Sequence, residues 1–306
     1  MCSAFVVSSE LDGQRLDVAL KRLLPQMGLR GGRRAIAAGL VLLNGRPEKA
    51  ARRLRVGDHV EVLARPTQAT ALPRFIARQG DYLFVDKPAG LYCAHLAGGG
   101  PSLEELLPEV VPADCAKARL LQRLDRETSG IVCAALGDRA VRAFRVAERE
   151  GLCDKHYLAL LTGSLLRPLT ARFGLETEDR RKSRVGGPVE DATRWTDFRP
   201  LRHFDPEQAA CLLACLGAPP PFAARELTLA ACRIRRGARH QIRAHAAALG
   251  HPLWGDTLYG ISSPPQKDAL ADQAASAFFL HHGALFFPGG RCVLSPPWPM
   301  QHIALE

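Results

Sequence analysis

The 306-residue sequence lacks the marks of several protein classes. No run approaches the roughly 18 apolar residues that a membrane-spanning helix requires. The first residues carry no positive region ahead of an apolar segment, so we expect no secretory signal. There is also no glycine-rich loop between a strand and a helix of the kind that binds nucleotide phosphates. These absences favour a cytoplasmic protein that does not bind membranes.

The cysteines and histidines lack the spacing of a disulfide framework or a metal site. There are nine cysteines, an odd number, and the nearest pair, Cys211 and Cys215, has no second Cys or His pair at the distance of a zinc site. His240, His245 and His251 are five and six residues apart, which places neighbours on different faces of a helix. We therefore expect reduced thiols and no bound metal.

Positive charge is concentrated at the front of the chain. The formal net charge is +10, and residues 1–75 carry thirteen Lys and Arg against six Asp and Glu, a net of +7. A small basic module of this kind favours a polyanionic partner, nucleic acid above all.

The front 65 residues predict a small domain of two short helices and a twisted hairpin. The first helix carries Leu16, Leu20 and Leu23 at helical spacing, with Asp12 as its expected cap. A second helix over 33–38, a strand over 40–43, an Asn44-Gly45 turn and a strand around residues 60–62 follow. The arginines expected to face RNA are Arg33, Arg34, Arg52 and Arg53. A merely solvated basic surface is the alternative.

In residues 66–74, apolar residues recur with neither the helical nor the strand period, which predicts a linker. A second domain is therefore expected over 75–306. Its pattern is α+β, because strands and helices do not alternate as in a doubly wound sheet. We predict strands over 83–86, 131–136, 157–161, 226–234 and 277–287, and helices over 139–150 and 240–249. The polar, proline-punctuated interval 180–221 predicts insertions or edge strands.

Two segments concentrate charged residues that chemistry could use. In the segment LLQRLDRETSG (residues 120–130), a charged loop with Asp125 stands between apolar flanks. A solvated turn with an ordinary Arg–Asp pair is an equally valid interpretation of that loop alone. In the segment RHQIRAHAAALGHPLWGDTLYG (residues 239–260), Arg239 and Arg243 stand four apart and share a helix face that could hold a phosphate or a carboxylate.

These two segments resemble the HRLDxxTSG and HQIRxHxxxxGHPIxGDxxYG signatures of RluA-type pseudouridine synthases. VDKPAGL (residues 85–91) and KHYLAL (residues 155–160) are similar to two further motifs of that family. The front domain resembles, over about residues 12–63, the αL RNA-binding domain of a small-subunit ribosomal protein and of many RNA-modifying enzymes. Together the resemblances cover nearly the whole chain.

The resemblance implies a long, mainly antiparallel mixed sheet with a central cleft, and a cofactor-free enzyme that isomerises uridine in structured RNA. It implies Asp125 as the catalytic carboxylate, Tyr157 as the active-site tyrosine and Arg243 as the basic partner of Asp125. Arg123 would hold the RNA with its target base flipped out. The other residues expected to contact RNA here are Gln122, Arg239, His240 and Gln241.

The implied roles agree with elementary chemistry. A carboxylate can attack the anomeric carbon or remove a proton from the adjacent sugar carbon, and a nearby arginine favours its ionised form. Tyr157 could stack on the base and assist the removal of the proton from carbon 5.

Two positions depart from the family's pattern: Gln122 stands where the family usually has His, and Ala238 where it usually has Arg. A non-catalytic RNA-binding or assembly factor is therefore the alternative function, and a glycoside hydrolase with two carboxylates is a weaker one. We expect a monomer, acting on ribosomal RNA in preference to transfer RNA.

Overall fold

The computed structural model describes residues 3–24, 32–33, 36, 41–44, 46–62, 72–95, 101–178, 182–216, 225–260 and 278–298. The chain divides into two units, with the described residues up to Val62 in the first and those from Leu72 onward in the second. Within the described ranges, no helix is long and apolar enough to cross a membrane. Most of the predicted linker over 66–74 lies outside the described residues, but Arg74 already belongs to the first strand of the second unit.

Among the described residues, the first unit packs helix α1 (Leu16–Leu23) on a small antiparallel sheet. Its elements are β1 (Ser3–Val6), α1 (Leu16–Leu23), β2 (Val41–Leu43), β3 (Arg46–Pro47) and β4 (His59–Val62), with strand order β1-β4-β2-β3. Leu16 and Leu20 of α1 are fully buried against Val41, Leu54 and Val60, which confirms the predicted helical face.

Two predicted details of the first unit need comment: one differs in the structure, and the other lies mostly outside the described residues. Asp12 does not cap α1: its Oδ1 accepts the N–H of Val56 at 3.1 Å, and α1 begins after Arg15 without a side-chain cap. Of the predicted second helix over 33–38, Arg33 and Ile36 are helical, and the other four residues lie outside the described ranges.

The second unit is built on a ten-stranded sheet. Its strands are β5 (Arg74–Gln79), β6 (Tyr82–Lys87), β7 (Arg119–Leu120), β8 (Ser129–Ala135), β9 (Asp154–Thr162), β10 (Leu169–Ala171), β13 (Thr196–Phe204), β14 (Leu227–Ile234), β15 (Leu280–Phe287) and β16 (Gly290–Val293). β11 (Phe173–Glu176) and β12 (Arg184–Pro188) form a separate two-stranded ribbon. The helices are α2 (Leu103–Val110), α3 (Gly137–Arg149), α4 (Pro206–Cys215) and α5 (Gln241–Ala248).

The strand order is β10-β13-β14-β9-β15-β8-β6-β5, with β16 on β15 and β7 on β8. The β8–β15 pair is parallel and the other described pairs are antiparallel. This confirms the α+β class and the long, mainly antiparallel mixed sheet. The parallel pair, of His281 with Ser129 and His282 with Gly130, forms a seam near the middle of the sheet.

Helices cover both faces of the sheet, which explains the continuous apolar runs. All seven residues of β8 are buried, because alternate side chains meet different helices. Val132 and Ala134 pack in the same cluster as α2 and α5, whereas Ile131 and Cys133 pack with Phe144 of α3. Strands packed in this way position the loops at their ends, and such loops can carry a functional site.

The interval 180–221 is corrected by the structure. β12 belongs to the separate ribbon, but β13 lies between β10 and β14 and is therefore not an edge strand. A register shift between Pro200 and Arg202 accommodates the proline, which lacks a backbone N–H. The helices α2 and α4 were also not predicted. α2 begins with a capping box in which Ser102 and Glu105 satisfy each other's backbone N–H groups.

Candidate active site

The candidate catalytic carboxylate, Asp125, sits in the loop between β7 and β8. Its carbonyl accepts the N–H of Thr128 at 3.1 Å, which closes a turn directly before β8. The N–H of the preceding Leu124 donates to the sulfur of Cys93 at 3.2 Å. The side chain of Asp125 remains 22% exposed, so it is held by the protein and still reachable from solvent.

Lys87 connects this loop to the turn after β6. Its ammonium is fully buried and donates to the carbonyl oxygens of Pro88, Leu91 and Arg126 at 2.9, 2.7 and 3.1 Å. The same Arg126 carbonyl accepts the N–H of Gly90 at 2.8 Å. Burial lowers the pKa of Lys87 to about 8, so the ammonium form still prevails at neutral pH. The turn after β6 is thus bonded to the residue that follows Asp125.

Gly130, the last residue of the charged loop motif, lies at the parallel seam. Its φ of +113° is a conformation that residues with a side chain rarely adopt. A Cβ at this position would stand 2.3 Å from the carbonyl oxygen of His282, well inside contact distance. Only glycine therefore lets β8 and β15 approach closely enough to place the loop.

Arg243 joins Asp125 to a second, deeper carboxylate. Its Nη1 donates to Asp125 Oδ2 at 2.9 Å, while its Nε and Nη2 donate to the two oxygens of Asp256 at 2.7 and 2.9 Å. Arg243 is 7% exposed and Asp256 is fully buried. Burial disfavours the charged guanidinium, but the bonds and charges of Asp256 and Asp125 outweigh it and raise the pKa of Arg243 above its ordinary value. The fork geometry fixes the direction from which Arg243 meets Asp125.

His240 lies on the other side of Asp125. It adopts a left-handed conformation with φ of 55°, immediately before α5. Its Nε2 is 3.8 Å from Asp125 Oδ1, and its Nδ1 is 3.1 Å from the hydroxyl of Tyr259. Burial lowers the pKa of His240 in spite of the nearby Asp125 carboxylate. The histidine therefore borders the candidate catalytic carboxylate directly.

Tyr157, on β9, is stacked on His282 of β15. The ring centroids are 4.4 Å apart and the planes differ by 18°. Burial, and after it the charge of Asp125, raises the pKa of Tyr157 well above its usual value. Its hydroxyl therefore keeps its proton at neutral pH.

His282 is held by the carbonyl of Ile131. Since a carbonyl only accepts, Nδ1 carries the proton of this 2.6 Å bond. Burial lowers the pKa of His282 to about 3, so the ring is neutral. Gln122 Nε2 donates to the same carbonyl at 3.2 Å. The side-chain amide of Gln122, expected at the RNA, thus bonds to the same backbone carbonyl of the protein as His282.

The remaining predicted RNA contacts of this unit divide into two kinds. Arg123 is exposed and, with Arg239 and Ala238, lines a cleft of about 460 Å³. Gln241 borders the same cleft but is only 3% exposed. Its side chain accepts the N–H of Ala238 and donates to the carbonyls of Arg194 and Trp195. Through these hydrogen bonds Gln241 stabilises the loop before α5.

The predicted RNA contacts of the first unit also make bonds within the protein. Arg33 Nε lies 2.6 Å from Asp17, which is fully buried and also pairs with Arg15. The Arg15 bond lowers the pKa of Asp17 against its burial, and Arg33 adds to this effect. Arg53 donates to the carbonyl of Gly13 at 2.7 Å.

Arg52 is half exposed and lies 3.7 Å from Glu48. Arg34 lies outside the described residues.

Four residues of the site were not assigned from the sequence: Lys87, Asp256, Tyr259 and His282. The first three belong to the motifs already quoted, VDKPAGL and GDTLYG, so a signal for them existed. His282 lies in an apolar strand without a recognisable motif, and only the sheet order brings it to Tyr157.

Two family models and several known proteins are similar to this chain. A family model described as RNA pseudouridylate synthase matches residues 81–248, and a model described as S4 domain matches residues 14–60. The chain is 28% identical over 278 residues to a protein of Nitrosomonas europaea named ribosomal large subunit pseudouridine synthase D, an alignment that spans 87% of this chain and 74% of that protein.

A protein of the same name from Xanthomonas campestris pv. campestris is 31% identical over 271 residues, covering 83% of this chain and 74% of the relative. Among solved structures, human RNA pseudouridylate synthase domain containing 1 superposes with a TM-score of 0.54 at 22% identity, over 76% of this chain and 87% of that one. This structural likeness shows a shared fold.

Proposed function

Because this chain belongs to the RNA pseudouridylate synthase family and is therefore an RNA isomerase, we propose that its substrate is ribosomal RNA and that Asp125 is its catalytic carboxylate. The observation that carries the proposal is the chain of contacts from Asp125 through Arg243 to the buried Asp256. The names of the two relatives, both ribosomal large subunit pseudouridine synthases, support the choice of ribosomal RNA.

The reaction requires one bond from the base to the sugar to break and another to form. The bond between N1 of the uracil and the anomeric carbon breaks, the base turns, and carbon 5 bonds to the same sugar carbon. Carbon 5 then loses its proton and N1 gains one, so the product is an isomer and no electrons are exchanged. An ionised Asp125 can attack the anomeric carbon or accept a proton from the adjacent sugar carbon.

In this proposal Arg243 and Asp256 aim that carboxylate. The guanidinium is held by two bonds to Asp256 and offers one N–H to Asp125 Oδ2. Asp125 Oδ1 is thereby left for the reacting sugar, on the side that His240 borders at 3.8 Å. Positioning of this kind supplies a large part of enzymatic rate acceleration.

Tyr157 is proposed to contact the base as a neutral phenol. Because burial raises its pKa, a standing phenolate that removes the carbon 5 proton is not favoured. The expected assistance in that step is therefore limited to a neutral hydroxyl, and the ring is the main contribution of Tyr157.

The cationic residues of both units are proposed to hold structured RNA, with the enzyme acting as a cytoplasmic monomer. Arg123 is exposed two residues before Asp125, where a planar guanidinium can stack on bases beside a flipped uridine. In the first unit the half-exposed Arg33 and Arg52 are the candidates for phosphate contacts.

Release of tritium from RNA labelled at uridine carbon 5 tests the function, since that hydrogen is lost only when carbon 5 bonds to the sugar. We expect release from ribosomal RNA transcripts, at a stoichiometry of one tritium per modified site, and none from transfer RNA. Release from transfer RNA alone would contradict the proposed substrate. Tight RNA binding without any release would instead favour a non-catalytic RNA-binding factor.

His282 offers a test of how Tyr157 is held. We expect His282→Asn, which keeps a donor for the Ile131 carbonyl but removes the stacked ring, to lower kcat about tenfold with little change in KM, because a displaced Tyr157 affects the reacting geometry more than binding. The matched variant His282→Phe keeps the stack, and its kcat should stay within about threefold of wild type. Thermal unfolding of both variants checks that they fold. Equal losses in the two variants would refute the role of the stack.

A further inference from the structure

The cleft beside Asp125 has walls from separate parts of the second unit. One wall is the ribbon strand β11, through Phe173 and Leu175, with Thr177 just after it, and another is the loop over 236–239 that leads into α5. Arg194 and Arg123 complete it, and its volume of about 460 Å³ lies within the roughly 300–1,000 Å³ of ligand sites. The cleft is formed by residues distant in sequence and held together by the fold.

The charge of the cleft is of one sign. Four arginines line it, Arg123, Arg194, Arg236 and Arg239, and among the described lining residues there is no Asp or Glu. Arg194 is offset in part by Asp191, whose carboxylate is 3.6 Å away. Arginines around a concave surface suit the phosphodiester groups of RNA.

The apolar part of the cleft suits a base. Phe173 and Leu175 are partly buried, and each leaves some of its surface at the cleft. Aromatic and aliphatic side chains next to a basic groove are the usual partners of unpaired bases. The cleft therefore combines the two surfaces that one nucleotide presents.

The cleft and the Asp125 site share residues at their border. Arg123 lines the cleft two residues before Asp125, and Arg239 and Gln241 line it on either side of His240, which is 3.8 Å from Asp125. Ala238 also lines it. A methyl group leaves open the space that a long side chain would enter.

Resting on the proposed function, we propose that this cleft is a binding subsite for an unstacked nucleotide next to the target uridine, with its phosphodiester on the arginines and its base against Phe173 and Leu175. A uridine that leaves the stack loosens its neighbours, which lowers the cost of placing one of them in a second site. The enzyme thus recognises a flanking base as well as the uridine, and the small side chain of Ala238 leaves space for that base.

The test combines abasic RNA with a variant that fills the cleft. A short ribosomal RNA fragment with the modified uridine is prepared intact and with a single abasic residue at each neighbouring position, and kcat/KM is measured by tritium release. For wild type we expect a loss of about tenfold or more at one neighbouring position. Ala238→Leu should lower kcat/KM on intact RNA by a similar factor, and it should be insensitive to the abasic residue at that position. Ala143→Leu, at an exposed position of α3 away from the cleft, is the matched control for the added bulk and should behave as wild type.

A second arm measures the phosphate contact. Arg236→Gln should reduce the slope of log affinity against log salt by about 0.7–0.9, the value of one phosphate. Arg142→Gln, on the exposed side of α3, should leave the slope unchanged.

An abasic scan without effect in an active wild-type enzyme, or the same abasic loss in wild type and Ala238→Leu, would overturn the subsite. If wild type releases no tritium from any ribosomal RNA, the proposed function fails instead.

Discussion

Asp125→Asn is expected to lower the single-turnover rate of isomerisation by a factor on the order of 10⁴ or more, as in enzymes that lose a group acting directly on the reacting bond. Asparagine has the shape of Asp125, and its amide oxygen can still accept the Arg243 Nη1–H now seen at 2.9 Å. The amide can neither attack the anomeric carbon nor accept a proton from the sugar. Most RNA affinity comes from phosphate contacts, so the dissociation constant should change less than about threefold.

Tritium release under single-turnover conditions and a direct binding titration measure the two quantities separately. Asp138→Asn, an exposed carboxylate on α3 that pairs with Arg119, is the control for removal of a negative charge. If Asp125→Asn turned over within tenfold of wild type, another residue would have to act at the sugar.

Asp256→Asn is expected to have the second-largest effect and to act on both stability and rate. The substitution leaves Arg243, only 7% exposed, without its bidentate partner. Breaking a buried ion pair by removing one charge costs about 3–5 kcal/mol of unfolding free energy. Because Asn can still accept the N–H groups of Leu258 and Tyr259, the local turn should persist and the damage should centre on Arg243.

A guanidinium that is no longer fixed lets the Asp125 carboxylate shift, and a displacement of about 1 Å can cost on the order of 100-fold in rate. We expect kcat to fall while KM changes little, which a loss of RNA binding would not produce. Combined with Asp125→Asn, the Asp256 substitution should add almost nothing to the loss of rate, since both act through one carboxylate. Fully additive losses in the double variant would show that Asp256 acts independently of Asp125. Asp197→Asn, an exposed carboxylate bonded to Thr170, is the matched control.

Much of the fold was predictable because strands that are buried on both faces have continuous apolar sequences. β8, β9 and β14 are covered on both faces, and their apolar runs were assigned within a few residues of the observed bounds. β13 was missed because polar residues and Pro200 interrupt its pattern, and a register shift, which no local pattern reveals, absorbs the proline.

The candidate site was predictable to the extent that its residues lie in motifs. Asp125, Arg243 and Tyr157 were assigned from resemblance, and the structure brings Asp125 and Arg243 into direct contact. The direction of a polar side chain next to a motif depends on partners far along the chain. Gln122 and Gln241 were expected to face RNA, yet their amides bond to Ile131 and to the carbonyls near Trp195.

The sequence order of the strands differs from their order in the sheet, and this affects how the protein folds during synthesis. β15 is inserted between β8, which follows Asp125, and β9, which carries Tyr157. During synthesis, the loop that carries Asp125, the strand that carries Tyr157 and the helix that carries Arg243 therefore all emerge before residues 280–287. Such long-range pairings close last, because the entropy of the intervening chain must be lost first. A polypeptide that stops before residue 280 would contain Asp125, Tyr157 and Arg243 but would lack the strand that joins the two parts of the sheet, so we expect it to be inactive.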